Sequence, residues 1–235
     1  MTLSVTPSPS LNFDDRRGVA APSYIILHYT GTRTAEEARA RFCESSPNDE
    51  IGRIAPHYMI DGQAHVYQFV DEEKRAWHAG ASAWKCENDL NSLSIGIEIW
   101  NTGHEFDFEN FLPPQITALI ELIRDIRTRW AIPQQNILGH SDIAPGRKID
   151  PGEKFPWHEL AEKGIGLMPK IHQPHPVAGA DFFVKLARYG YTYTEDTDVL
   201  LREFRRHFLP HKVSGKSLDS EDAAALQSLI AQASI

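Results

Sequence analysis

Two stretches of this chain are apolar without alternation, SYIILHYT at residues 23–30 and SLSIGIEIW at residues 92–100. A strand with one wet face alternates polar and apolar residues. A continuous run rich in β-formers is instead expected of a strand buried on both faces. A third, shorter run, NILGH at 136–140, reads as another strand. Any fold for this chain must therefore cover a central set of strands from both sides.

The intervening segments supply the cover. TAEEARARFCE reads as a helix with Thr34 as N-cap and Glu37 completing a capping box. PPQITALIELIRDIRTRW is the clearest helix, with prolines at its start and apolar residues at Ile116, Leu119, Ile120, Ile123 and Ile126. PHYMID and HVYQFV alternate around DGQA, which predicts a hairpin. Residues 1–22 are rich in Pro, Ser and Asp and read as an irregular N-terminal arm. Residues 23–169 form the main domain. Residues 170–180, KIHQPHPVAGA, read as a linker. Three helical patterns follow in 181–235, DFFVKLARYGY, EDTDVLLREFRRHF and DSEDAAALQSLIAQ, a three-helix domain small enough that docking on the first would help it fold.

Composition narrows the function. Of 235 residues, 41% are apolar and 24% charged, which suits a packed soluble core, and the net charge of -8 argues against a phosphate-tracking nucleic-acid binder. No apolar run is long enough to span a bilayer. The N-terminal stretch does not read as a secretory signal, so the expected compartment is the cytoplasm, with the cell envelope or periplasm as the alternative if a leader is removed or export is specialised. Cys43 and Cys86 are read as free thiols.

The chemistry gathers in GHSDIAPGRKIDPGEKFPW, residues 139–157. His140 there and His28 in IILHYT each close an apolar strand, where ligand sites of open α/β sheets form. Taken alone, His28 reads as a hydrogen-bonded core histidine. With Asp150 they make two nitrogens and one carboxylate oxygen, a set that leaves a fourth position open on a tetrahedral zinc. Glu98 sits among apolar residues of a strand, costly unless paired or functional, and suits a general base. Its bland alternative is a strand-end carboxylate bonded to an arginine or a backbone amide. Lys148 is placed to stabilise an oxyanion, or is simply a loop lysine. His78, beside Trp77 in a glycine-containing loop, is a candidate to line a groove. His57 and His65 read as structural or exposed, and His104, His158, His172, His175, His207 and His211 receive no role.

In this order IILHYT, PHYMID, WHAGAS, SIGIEI and GHSDIAPGRKIDPG resemble the zinc-dependent N-acetylmuramoyl-L-alanine amidases of the AmpD type, relatives of phage lysozyme-type amidases and peptidoglycan recognition proteins. The resemblance covers about residues 13–160, and the helical tail is similar to that of the AmiD branch, whose tail resembles peptidoglycan-binding modules. It implies an α/β (α+β) fold with a mixed central sheet flanked by helices. It implies one Zn2+ held by His28, His140 and Asp150, with Glu98 assisting the attacking water and Lys148 stabilising the transition state. Trp77 and His78 are the candidate substrate-binding residues. The implied reaction is hydrolysis of the amide between N-acetylmuramic acid, or its 1,6-anhydro form, and L-alanine of the stem peptide. The partner is then a muropeptide or peptidoglycan. The competing readings are a non-catalytic peptidoglycan recognition module and a zinc peptidase cutting within the stem peptide.

Overall fold

The computed structural model describes residues 3–234 apart from 49, 172, 174, 175, 177 and 178. In chain order its elements are β1 (Val5–Pro7), β2 (Phe13–Asp15), β3 (Tyr24–Tyr29), α1 (Ala35–Cys43), β4 (Tyr58–Ile60), β5 (Val66–Gln68), β6 (Lys74–Ala76), α2 (Leu90–Leu93), β7 (Ser94–Ile99), α3 (Pro113–Arg129), β8 (Ile137–Gly139), α4 (His140–Ile143), α5 (Trp157–Glu162), α6 (Gly179–Tyr189), α7 (Thr197–Phe208) and α8 (Ser220–Ala233). Six strands form one sheet in the order β1-β5-β4-β7-β3-β8, and β2 pairs with β6 in a separate ribbon. The β4, β7, β3 and β8 strands lie parallel, while β4 and β5 make the antiparallel hairpin that alternation predicts. The sheet is mixed and flanked by helices.

The two continuous apolar runs become β3 and β7, side by side at its centre, with Ile25, Ile26, Leu27, Ile95, Ile97 and Ile99 all fully buried. The β4 strand shows how the two faces divide. Tyr58 and Ile60 join the main core with Leu119, Leu122, Ile123 and Ile126 of α3, whereas Met59 packs in a second cluster with Ala38 and Phe42 of α1. The α1 helix starts at the expected box: Thr34 Oγ1 accepts from the Glu37 amide and a Glu37 carboxylate oxygen accepts from the Thr34 amide, both at 3.1 Å. Such a cap is worth about 1 kcal/mol. In α3 the fully buried face includes Leu122, while Ile120 is only partly covered.

Three expectations need correction. The arm is not wholly irregular, since β1 pairs with β5 and β2 with β6. Polar anchors order it rather than apolar periodicity. The buried Asn12 donates from Nδ2 to the carbonyls of Phe42, Glu44 and Ile54, and Arg16 donates to those of Glu72, Ser92 and Ser94. His140 does not close a strand; β8 stops at Gly139, and His140 opens α4. Five residues of the expected linker, 172, 174, 175, 177 and 178, lie outside the described residues, and its last two, Gly179 and Ala180, already belong to α6.

The tail helices bury Phe182, Leu186, Leu200, Phe204, Phe208, Leu226 and Leu229 in one core continuous with the sheet and α3. Arg205 of α7 makes a buried two-pronged pair with Asp222 of α8, at 2.8 and 2.6 Å. Cys43 and Cys86 are exposed free thiols. No helix among the described residues is long and apolar enough to cross a membrane.

Candidate metal centre and active site

Parallel pairing sets the first side chains. His28 of β3 stands level with Glu98 of β7, which stands level with Met59 of β4. Level residues on neighbouring strands face the same side of a sheet. The α4 turn, which follows β8 alongside β3, brings His140 beside His28, and the loop closing on Asp150 completes the cluster. His28 Nδ1 lies 2.9 Å from His140 Nδ1 and 2.9 Å from Asp150 Oδ2, and His140 Nδ1 lies 3.0 Å from Asp150 Oδ2. All three residues are buried. The loop is braced from within: the Ser141 amide donates to the Asp150 carbonyl, and the Lys148 amide donates to that of Ala144.

The hydrogen-bond network around the cluster assigns its protons. Ser94 Oγ must donate to the Leu90 carbonyl, 2.5 Å away, because a carbonyl cannot donate. Ser94 Oγ then accepts from His78 Nε2–H at 3.2 Å. Burial first, then the neighbouring His28 and His57, hold His78 well below the usual histidine range, so its other nitrogen is bare. That Nδ1 accepts from His28 Nε2–H at 3.0 Å. Burial, with His140 alongside, lowers His28 to about 4 against the opposing pull of Asp150. His28 is therefore neutral at physiological pH, and its Nδ1 is a bare electron pair. On the other side, His140 Nε2 lies 3.0 Å from the Ala79 carbonyl, and a hydrogen donated there leaves Nδ1 bare too. Asp150 is buried against both rings, its Oδ2 2.9 Å from His28 Nδ1 and 3.0 Å from His140 Nδ1.

Two bare imidazole nitrogens and one carboxylate oxygen therefore face one another with no hydrogen between them. Such a set is repulsive until a cation sits among the three. The separations are close to the roughly 3.3 Å between donors of a tetrahedral zinc with bonds of about 2 Å. Second nitrogens fixed by a carbonyl or another polar group are the usual outer support of metal-ligating histidines. The residues present fit a resident divalent metal.

Glu98 and Lys148 line the same cavity, of about 480 Å3, together with His28, His140, Asp150, Trp77 and His78. Glu98 Oε2 is buried without a hydrogen-bond partner, so the arginine- or amide-bonded alternative does not hold for that oxygen. Burial first, then the charge of Asp150, push the Glu98 carboxyl well above its usual range, while Lys148 pulls it down. The same Lys148 charge opposes protonation of His28, so the ammonium acts on both sides of the centre. Trp77 is half-buried at the cavity wall, its Nε1 donating to Asp14 Oδ1 at 2.8 Å and Arg53 lying 4.9 Å from its ring. His78 has both nitrogens committed, one to His28 and one to Ser94, so its place is behind His28 rather than as a free hydrogen-bonding group for substrate. Gly96 of β7 makes room for it; a Cβ there would come within 2.4 Å of the His78 ring.

Several participants were not visible in the sequence. The Ala79 carbonyl orients His140 and also accepts from Arg147 Nη2 at 2.6 Å. His57, buried, accepts from the Gly96 amide at 3.0 Å beneath His78. His104, given no role, lines the cavity and bonds Tyr29 and Glu153. His207, also given none, contacts Asp142 of the loop that joins His140 to Asp150. The signals for these are spatial and leave no spacing to read.

Comparison with known proteins agrees with this geometry. A family described as N-acetylmuramoyl-L-alanine amidase matches residues 18–153. N-acetylmuramoyl-L-alanine amidase AmiD of Escherichia coli K12 is 38% identical over 233 residues, covering 88% of this chain and 81% of that protein. The 1,6-anhydro-N-acetylmuramyl-L-alanine amidase AmpD of the same organism is 30% identical over 166 residues, covering 63% of this chain and 86% of that one. Among solved structures, E. coli AmiD in complex with the substrate anhydro-N-acetylmuramic acid-L-Ala-D-gamma-Glu-L-Lys superposes with a TM-score of 0.79 at 32% identity, over 94% of this chain and 98% of that one. AmpDh3 of Pseudomonas aeruginosa in complex with anhydromuramic pentapeptide gives 0.77 at 33%, over 90% and 92%. With the family match spanning more than half its length and the metal-ready cluster inside that span, this chain belongs to the N-acetylmuramoyl-L-alanine amidase family.

Proposed function

We propose that His28, His140 and Asp150 hold one zinc ion and that Glu98 and Lys148 carry the proton transfer and charge stabilisation of amide hydrolysis. As a member of its family the protein is an amidase acting on the bond between N-acetylmuramic acid and L-alanine. The observation that carries the metal reading is the close, buried cluster of two imidazole nitrogens and one carboxylate oxygen. When bound, zinc supplies polarisation of the scissile carbonyl and acidification of water.

The chain's own residues do the rest. Glu98 Oε2, without a partner in the cavity wall, takes the proton of the attacking water and returns it to the leaving amine. The Lys148 ammonium stabilises the negative charge that develops on the former carbonyl oxygen. Trp77 offers part of an apolar wall to the muramyl peptide. The substrate class we favour is the anhydro-muramyl peptide, as in both ligand-bound relatives.

Incubating zinc-loaded protein with an anhydro-muropeptide and with intact sacculi, then identifying products by mass spectrometry, tests this reading. Release of free stem peptide beginning at L-alanine supports it, and the two substrates separate a recycling enzyme from one able to work on the wall. A cut within the stem peptide, or no cut of either substrate, overturns it. Glu98→Ala should keep zinc and lose about 10²- to 10⁴-fold in kcat. Equal loss of zinc in that variant would show Glu98 to be a ligand instead.

A further inference from the structure

The metal-binding loop is gripped from outside its own domain. Asp142, two residues after His140, is fully buried and carries three donors. The Gly139 amide donates to its Oδ2 at 2.7 Å, His207 Nδ1 donates to the same oxygen at 2.7 Å, and the Tyr191 hydroxyl donates to Oδ1. The last two come from the C-terminal tail, 65 and 49 residues away in sequence. His207 is fixed in turn, its ring stacked 3.8 Å from Trp157 and 3.9 Å from Phe208. Its Nε2 is buried and bare, a cost that the contact with Asp142 offsets.

We propose that Tyr191 and His207 are positioning residues for the metal centre: by clamping Asp142 they hold His140 and Asp150 at the separation that binds a metal. Asp142 ties the start of α4, where His140 stands, and its neighbour Ser141 donates from its amide to the Asp150 carbonyl at 2.9 Å. One clamp therefore acts on two ligands. The tail meets the same loop at two further points. Val199 of α7 lies where a Cβ on Gly146 would be, 2.9 Å away, and Arg206 of α7 pairs with Glu153. Glu153 also bonds His104, which bonds Tyr29 at the cavity wall. The tail helices thus brace the catalytic loop as well as adding a surface of their own.

This inference rests on the assignment of His28, His140 and Asp150 as ligands. The test is the zinc dissociation constant by competition with a chromophoric chelator, together with melting temperature and separate kcat and KM values at saturating zinc. The proteins are wild type, Tyr191→Phe, the double variant Tyr191→Phe/His207→Leu, His207→Asn and Leu229→Ala. Tyr191→Phe changes no packing volume beyond one hydroxyl and should weaken zinc about 10-fold, and the double variant toward about 100-fold. Both should lower kcat more than they change KM. His207→Asn keeps an amide donor near the Nδ1 position and should stay close to wild type in zinc affinity even if it melts earlier. Leu229→Ala, in the buried face of α8, should lower the melting temperature and leave zinc affinity unchanged. Unmoved affinity in Tyr191→Phe and the double variant, or equal weakening by Leu229→Ala, overturns the clamp while leaving the metal site standing. A wild-type protein that binds no zinc overturns the ligand assignment and the clamp with it.

Discussion

Two buried clusters of imidazole and carboxylate meet at the β8–α4 junction, and they differ in the donors that surround them. At the first, His28, His140 and Asp150 present three acceptors to one another. At the second, Asp142 receives an amide, an imidazole and a phenol, and is complete without any further group. Residue type does not separate them, since each joins histidine to aspartate. What separates them is the partner on the far side of each ring. The Ala79 carbonyl and the His78–Ser94–Leu90 chain draw the protons of the first cluster outward. At the second, His207 turns Nδ1 inward to Asp142, and its Nε2 is buried without a hydrogen-bond partner. The same side-chain types thus make two different clusters through the partners set around each ring.

That contrast breaks most completely at Asp150. Asp150→Ala removes the only anion among the three donors, and zinc affinity should fall by more than about 100-fold, beyond the usual range for outer supports. Equilibrium dialysis showing near-normal binding would mean that two imidazoles suffice and that the cluster is misread. A middle-sized effect is expected at His78→Leu, which touches no metal but releases His28 to turn. Zinc should weaken by about 10- to 100-fold with the melting temperature only modestly changed. If isothermal titration finds no weakening, the proton chain behind His28 does not select its tautomer.

The smallest effect tests the rim between the clusters. The hydrogen bond from His104, with Arg206 nearby, holds Glu153 at about 2 despite partial burial. Its folded value lies below the ordinary 4.5, so its contribution to stability is complete above that pH and is lost as pH falls toward 2. In chelator-treated protein, Glu153→Gln should therefore lose less melting temperature than wild type across that window. Parallel curves for the two proteins would remove Glu153 from the linkage between tail and loop.

How much of this was legible in the sequence depends on how far apart the interacting residues are. The β3 and β7 strands announce themselves as unbroken apolar runs, and the polar residue set into each, His28 or Glu98, stands out against them. Asp150 is visible because a ten-residue loop carries it back to His140. The Thr34–Glu37 box is local, contained within four consecutive residues. By contrast, β1 and β2 have three residues each, too few to show a period, and polar anchors such as Asn12 hold the arm in place. The committed geometry of His78, and the grip of Tyr191 and His207 on Asp142, exist only after the chain has folded back on itself. No spacing encodes them.

The β1 strand has a further consequence at the sheet's rim. Open sheet edges invite another chain to add a strand, and short, proline-bearing edge strands discourage this. By laying Val5–Pro7 along β5, the arm ends that side of the sheet in three residues, the last of which has no amide hydrogen to offer. A strand of three residues that ends in proline is a poor template for intermolecular β-pairing.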